Sequence, residues 1–346
     1  MVKLKMLPAL CGDCIMLHFL EKDFDYMMIV DSGMGRNCIR KLRSLINNRS
    51  VDSAVDLWVL THIDSDHISG ILYLLRDDDI DGNVIKEIWF NYGKGLDESL
   101  QVSSNISLSV ENVSNQTSFR QATELYTVLQ KRNIYLRAPI TSGDVYKFGE
   151  IKVTILLPSV EQLKKLISTS GYQYENDDHG KKTASRKSDY SYSIEELTNK
   201  KFSETNVTTT NASSIALLLE YKDFSILLLG DAKASDVVDA LVKMGFSEKN
   251  RLRVGYCKIA HHGSAYNTSD ELLKMIDCKN YLISSNWRNG KPSKECLSRI
   301  VVHSSQKVNF YCNYEPYPQV FSVEEQEKYG MKLIFLNDKE FIAYGK

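Results

Sequence analysis

No apolar run in this 346-residue chain approaches the roughly 20 residues needed to cross a bilayer, so no membrane-spanning helix and no membrane partner are expected. Excess charge is missing too. The 43 Lys and Arg against 44 Asp and Glu leave a formal net charge of -1, so nucleic acid or anionic lipid would have to be met by a local patch. The start, Met1–Pro8, turns polar too soon for a secretory signal. Seven cysteines, odd in number and irregularly spaced, fit reduced thiols, and the two features together give the expectation of a cytoplasmic protein. There is no internal repeat and no convincing linker. Between His67 and Asp231 the sequence holds one histidine, His179.

What remains is an ordinary globular composition, 43% hydrophobic and 25% charged, long enough for one large α/β core or two small ones. Short apolar strands alternate with amphipathic helices, and we read residues 1–346 as a single domain. Strands are expected at Val2–Met6, Cys14–Phe19, Tyr26–Val30, Asp56–Leu60, Val84–Asn91 and Asn133–Leu136. Others are expected at Tyr146–Phe148, Ile151–Leu157, Ser213–Tyr221, Phe224–Leu229, Tyr256–Ala260 and Tyr281–Ser284, with three more in the tail. Residues from about 98 to 118 read as loop or weak helix. At about 170–210 aliphatics nearly vanish and Tyr, Asp, Lys, Ser and Thr take over, which reads as a polar, mobile insertion. It holds His179 and Tyr172, Tyr174, Tyr190 and Tyr192, either lid residues or an inert exposed loop.

One stretch organises the rest. Thr61-His62-Ile63-Asp64-Ser65-Asp66-His67-Ile68-Ser69-Gly70 follows a buried strand and opens a helix, so four candidate metal ligands, His62, Asp64, Asp66 and His67, share one tight turn. Unneutralised carboxylates and imidazoles at that density crowd one another unless a cation sits among them. Two further segments offer ligands just after strands: Asp231, in Leu229-Gly230-Asp231, and His261 with His262, in Ala260-His261-His262-Gly263-Ser264. The ends of strands are where α/β folds place chemistry, because a rigid sheet holds loops that stay open to solvent.

Other features carry less. Cys11-Gly12-Asp13-Cys14 reads as a turn, since no second pair completes a zinc site and no helix follows as in a redox motif. Asp31-Ser32-Gly33-Met34-Gly35 can open a helix and admit an anion. Arg36, Arg40 and Arg43 share a helix face, either a phosphate-tracking stripe or a solvated basic face.

The order and spacing of the ligand segments resemble the metallo-β-lactamase superfamily. His62-x-Asp64-x-Asp66-His67 is similar to its His-x-His-x-Asp-His signature, with Asp64 in place of the second His. Asp231 matches the metal-bridging Asp and His261 the last His, with His262 as the alternative. Within the superfamily the chain is most similar to the hydrolase domain of competence DNA-uptake channels (ComEC type) and their stand-alone relatives. Cys11-Gly12-Asp13-Cys14-Ile15, Asp31-Ser32-Gly33, Gly143-Asp144, Asn211-Ala212-Ser213-Ser214 and His261-His262-Gly263-Ser264 carry that likeness, from residue 1 to about 300. Lys291-Pro292 stands where those relatives have His-Pro.

The resemblance implies a four-layer αββα sandwich with a dinuclear site at the sheet edge. It implies two divalent ions, Zn²⁺ or Mn²⁺, one on His62, Asp64 and Asp231 and the other on Asp66, His67, Asp231 and His261. A bridging water would act as the nucleophile. Asp64 in place of an imidazole hardens its site toward Mn²⁺. Asp66, His262 and Lys291 are the catalytic candidates, with His262 and Lys291 stabilising charge or protonating the leaving oxygen. Arg36, Ser264 and Asn286 are candidate substrate contacts. The implied activity is phosphodiester hydrolysis of nucleic acid or a nucleotide, in a bacterial defence or stress pathway with a partner protein from that pathway. A β-lactam, lactone or peptide hydrolase is the alternative enzyme, and a metal-stabilised regulatory protein the non-enzymatic one.

Overall fold

The computed structural model describes residues 1–101, 117–172, 188–205, 207–339 and 341–345. The loop expected at about 98–118 falls mostly outside these residues, as do His179, Tyr174 and much of the stretch at about 170–210. Two compact units, each with its own sheet, share the chain. The first takes residues 1–141, 158–181 and 338–346, and the second takes 142–157 and 182–337.

The first unit opens with an antiparallel meander of β1 (Val2–Met6), β2 (Ile15–Glu21) and β3 (Phe24–Val30). Helix α1 (Arg36–Asn47) then carries the chain to β4 (Leu57–Val59), parallel to β3. Helix α2 (Ser65–Leu75) leads to β5 (Ile88–Trp89), and α3 (Lys94–Ser99) and α4 (Thr117–Lys131) lead to β6 (Leu136–Arg137). Both of these strands extend the parallel run.

The alternation of apolar residues decides which helix faces turn inward. On α1, Cys38, Leu42 and Ile46 are buried, which leaves Arg36 and Arg40 exposed and Arg43 paired with Asp77. Helix α2 is buried on nearly every side because α1 and α4 both pack against it.

The second unit begins with a hairpin, β7 (Val145–Phe148) and β8 (Ile151–Leu157). After α5 (Val160–Tyr172), which belongs to the first unit, come α6 (Ile194–Thr198) and α7 (Thr209–Ala212). β9 (Ala216–Tyr221) and β10 (Phe224–Leu228) continue the antiparallel pairing. α8 (Ala234–Lys243) packs Val237, Val238 and Leu241 inward. A small sheet of β11 (Leu252–Arg253) and β13 (Ile276–Asp277) flanks β12 (Tyr256–Lys258) and α9 (Asp270–Met275) in sequence. β14 (Asn280–Ile283), α10 (Lys294–His303), β15 (Val308–Cys312), α11 (Val323–Tyr329) and β16 (Met331–Phe335) complete a parallel run from β10. The sheet order is β16-β15-β14-β12-β10-β9-β8-β7. β17 (Phe341–Tyr344) returns to the first unit, giving β17-β1-β2-β3-β4-β5-β6.

The mixed α/β class and most element positions match expectation, and the differences have local causes. Val84–Asn91 shortens to β5 because Asp81 caps a helical turn over Gly82–Val84. β6 begins late because Asn133 takes a left-handed φ of 53° at the end of α4. Tyr190 is neither lid nor exposed loop: it is 9% exposed, and its hydroxyl donates to the Pro292 carbonyl at 3.0 Å. The following α6 opens on a Ser193–Glu196 capping box.

Candidate metal centre

In the first unit the donor-rich turn begins where β4 ends. Asp64 is the N-cap residue of α2, yet its carboxylate makes no capping hydrogen bond, so the side chain is not consumed by ending the helix. Its oxygen lies 3.5 Å from His62 Nε2, and an Asp66 oxygen lies 3.9 Å from His67 Nε2. The two imidazoles are buried, with ring centroids 4.2 Å apart.

Asp31, at the end of β3, sets the protonation of both rings. Its Oδ2 takes the proton of His67 Nδ1 at 2.7 Å, and its Oδ1 accepts from the Thr61 backbone N–H at 2.7 Å. The Thr61 hydroxyl also points at this carboxylate, at 2.9 and 3.0 Å, and a carboxylate only accepts. Thr61 Oγ1 therefore accepts from His62 Nδ1 at 3.0 Å. Both imidazoles keep their hydrogen on Nδ1 and present the Nε2 lone pair, as a metal-binding histidine does.

Two close approaches hold the turn. The Ser32 backbone N–H and hydroxyl both donate to the His67 carbonyl, at 2.8 and 2.7 Å, and a Cβ on Gly70 would stand 2.0 Å from the Ser32 oxygen. A Cβ on Gly12 would stand 1.8 Å from the backbone carbonyl oxygen of Asp66. That contact brings the Cys11–Cys14 turn, and buried Asp13 with it, against α2. An Asp13 carboxylate oxygen and an imidazole nitrogen of His67 lie within 4.8 Å of each other. Asp13 is the donor that sequence reasoning missed, because it was read only as part of a turn.

In the second unit, Asp231 follows β10 and its backbone N–H donates to Ser214 Oγ at 3.2 Å. His261 and His262 follow β12 with left-handed φ of 49° and 57°, and Gly263 adds a third at 82°. That left-handed run turns both rings toward Asp231: its Oδ2 lies 3.5 Å from His261 Nε2 and 3.6 Å from His262 Nε2.

The tautomers are fixed by neighbours here as well. Asn267 Nδ2 donates to the carbonyls of Asp231 and Ala232, at 3.1 and 3.0 Å, so its Oδ1 must receive the His261 Nδ1 proton at 3.0 Å. His262 Nδ1 donates to the Ser284 carbonyl at 3.1 Å. Burial first of all pushes His261 down to about 4, against the opposing pull of Asp231, so the ring is neutral at physiological pH. Neutral imidazoles and ionised carboxylates are the donor set that Zn²⁺ and Mn²⁺ accept, and the residues present fit such ions. The second unit presents both histidines to Asp231, and neither is the spare one by position.

The remaining candidates divide. Lys291 is half-buried, and its charge is among those that lower the His261 pKa. Its loop is seated on the histidine turn: a Cβ on Gly263 would meet Pro292 Cβ at 2.5 Å, and Ser293 N–H donates to the Gly263 carbonyl at 2.9 Å. Asn286 Oδ1 accepts from the Arg288 backbone N–H, and Ser264 Oγ from that of Tyr266, so both side chains shape turns. Arg36 is exposed at the start of α1.

No family model matches the chain, and no curated protein matches it. Among solved structures it is similar to unliganded yeast PDE1, with 12% identity over 98% of both chains and a TM-score of 0.44. It is similar to Zn²⁺-bound PqqB from Methylobacterium extorquens, with 10% identity over 95% of this chain and 87% of that one, TM-score 0.42. It is also similar to a diphosphatase of the PhnP family, with 10% identity over 96% and 84%, TM-score 0.39. At this similarity no residue role and no substrate passes from those proteins to this chain.

Proposed function

We propose that this chain is a metal-dependent hydrolase of phosphodiesters, acting on nucleic acid or a nucleotide. It would use two divalent ions, Zn²⁺ or Mn²⁺, held by His62, Asp64, Asp66 and His67, with Asp13 beside them, and by Asp231, His261 and His262. The observation that carries this reading is the common preparation of four imidazoles. Thr61, Asp31, Asn267 and the Ser284 carbonyl take the Nδ1 protons, so every Nε2 offers its lone pair beside a carboxylate. Without a cation, lone pairs facing carboxylates at 3.5 to 3.9 Å repel one another.

Bound divalent ions would supply Lewis acidity to the phosphoryl group and activation of the attacking water. The chain's own residues do the rest. The attacking water gives up one proton to solvent and its oxygen bonds to phosphorus, the ester P–O bond breaks, and the leaving oxygen takes a proton. His262 has its Nδ1 proton engaged by Ser284 and its Nε2 turned to Asp231, which leaves Lys291 as the proton donor and as a cation for the phosphate. A positive side chain beside the donor set favours a phosphodiester over a neutral amide. A role in a defence pathway, with a partner protein from it, belongs to the same proposal and rests on the likeness to stand-alone competence-type domains.

Bis-p-nitrophenyl phosphate, a plasmid and nitrocefin, each assayed with Zn²⁺ or Mn²⁺, test the reading. Phosphodiester turnover that falls by at least ~10²-fold in Asp66→Ala and in Lys291→Ala is the expected result. Turnover of nitrocefin alone would replace the phosphodiester with a lactam, and tight metal binding without any turnover would leave a regulatory protein.

A further inference from the structure

The stretch Asn211-Ala212-Ser213-Ser214 has no part in the chemistry above, yet its first residue lies against the histidine turn of the second unit. Asn211 is the third residue of the short helix α7, where its backbone N–H donates to the hydroxyl of the N-capping Thr208 at 3.1 Å. Its side chain is 4% exposed. The carboxamide nitrogen lies 3.5 Å from His261 Nε2, and the carboxamide oxygen has no hydrogen-bond partner among the described residues. Buried amide groups are nearly always satisfied at both ends, so a half-satisfied carboxamide beside the histidine turn is not explained by packing alone.

The neighbouring bonds sharpen the point. Two backbone carbonyls fix the orientation of Asn267, which fixes the proton of His261 on Nδ1, so Nε2 is an acceptor. Asn211 therefore turns its N–H end to that nitrogen. A cation on Nε2 takes the same lone pair, and the Asn211 N–H then loses its acceptor. The loaded protein would hold a buried carboxamide open at both ends, on a short capped helix, beside the donor set.

We propose that Asn211 is a substrate-contacting residue whose carboxamide N–H donates to an oxygen of the phosphate-type anion bound beside His261. This rests on the hydrolase reading above. A buried N–H donor beside the reacting group can stabilise charge developing on phosphoryl oxygens.

The test compares the Zn²⁺-loaded wild type with Asn211→Ala and Asn211→Asp. It reads metal content by mass spectrometry, inorganic phosphate binding by calorimetry, melting temperature, and kcat and KM on bis-p-nitrophenyl phosphate. Both variants are expected to keep the wild-type metal content and melting temperature. Phosphate binding should weaken by ~10-fold or more in Asn211→Ala, and further in Asn211→Asp because its carboxylate repels the anion; kcat should fall by ~10²-fold. Should Asn211→Ala fail to fold, Asn211→Ser removes the same donor with a smaller change in polarity.

Metal lost in step with activity would make Asn211 a ligand and overturn the proposal. Unchanged phosphate binding with a lowered melting temperature would reduce it to a helix residue. A wild type that binds phosphate through Asn211 but cleaves no phosphodiester would sink the hydrolase reading and leave this contact standing.

Discussion

Asp31 never touches a candidate metal position, yet it determines what His67 can offer. Its Oδ2 holds the Nδ1 proton at 2.7 Å, which leaves the lone pair on Nε2. In Asp31→Asn the carboxamide N–H can face the ring, so that Nδ1 becomes the acceptor and the proton moves to Nε2. Metal affinity is expected to fall by ~10- to 100-fold with the fold retained, read by calorimetric titration of Zn²⁺ and by circular dichroism. Unchanged affinity would remove Asp31 from the site. His62, Asp64, Asp66, His67, Asp231, His261 and His262 could be picked out as candidates because they crowd into short segments after strands. Asp31 and Asn267 were not: Asp31 acts on a ring 36 positions away, and Asn267 through carbonyls 35 and 36 positions back.

At the scale of the element, α2 is held to the rest of its unit by close backbone approach. The Ser32 oxygen stands 2.0 Å from the place a Gly70 Cβ would occupy, and the Gly70 N–H donates to the Gly33 carbonyl at 2.9 Å. Gly70→Ala must therefore push the helix start, with Asp66 and His67, away from the β3 loop. An overpacked contact of this kind costs about 1–3 kcal/mol. A lower melting temperature and weaker Zn²⁺ uptake are expected together, and a variant that melts lower but binds metal normally would show that the clamp does not position the ligands. Helices were legible where a clear apolar stripe exists, as on α1 with Cys38, Leu42 and Ile46. β5 and β6 were not delimited correctly, since strands of two residues carry no readable alternation.

For the whole molecule the expectation concerns linkage. An ion that binds only the folded chain stabilises it by about 2.7 kcal/mol at a hundredfold excess over Kd. Zn²⁺ should raise the melting temperature and a chelator should lower it again. His67→Ala and Asp231→Ala should each reduce the shift, and an unchanged shift in either variant would remove that residue from the ligands. The alternation of strands and helices made the α/β class legible. The division into two units was hidden, because residues 158–181 and 338–346 return to the first unit after the chain has entered the second. Local periodicity carries no sign of such a return.

The histidine turn has a consequence for how such a protein is dissected. His261, His262 and Gly263 hold three successive left-handed conformations, of which only the glycine's is free of a Cβ penalty. An alanine scan would thus measure two things at once at these positions: the missing ring, and a methyl group kept in a conformation that costs it about 1 kcal/mol. Glycine is the cleaner control. His262→Gly should melt above His262→Ala while both lose metal, and thermal denaturation of the pair separates the backbone's share of the loss from the imidazole's.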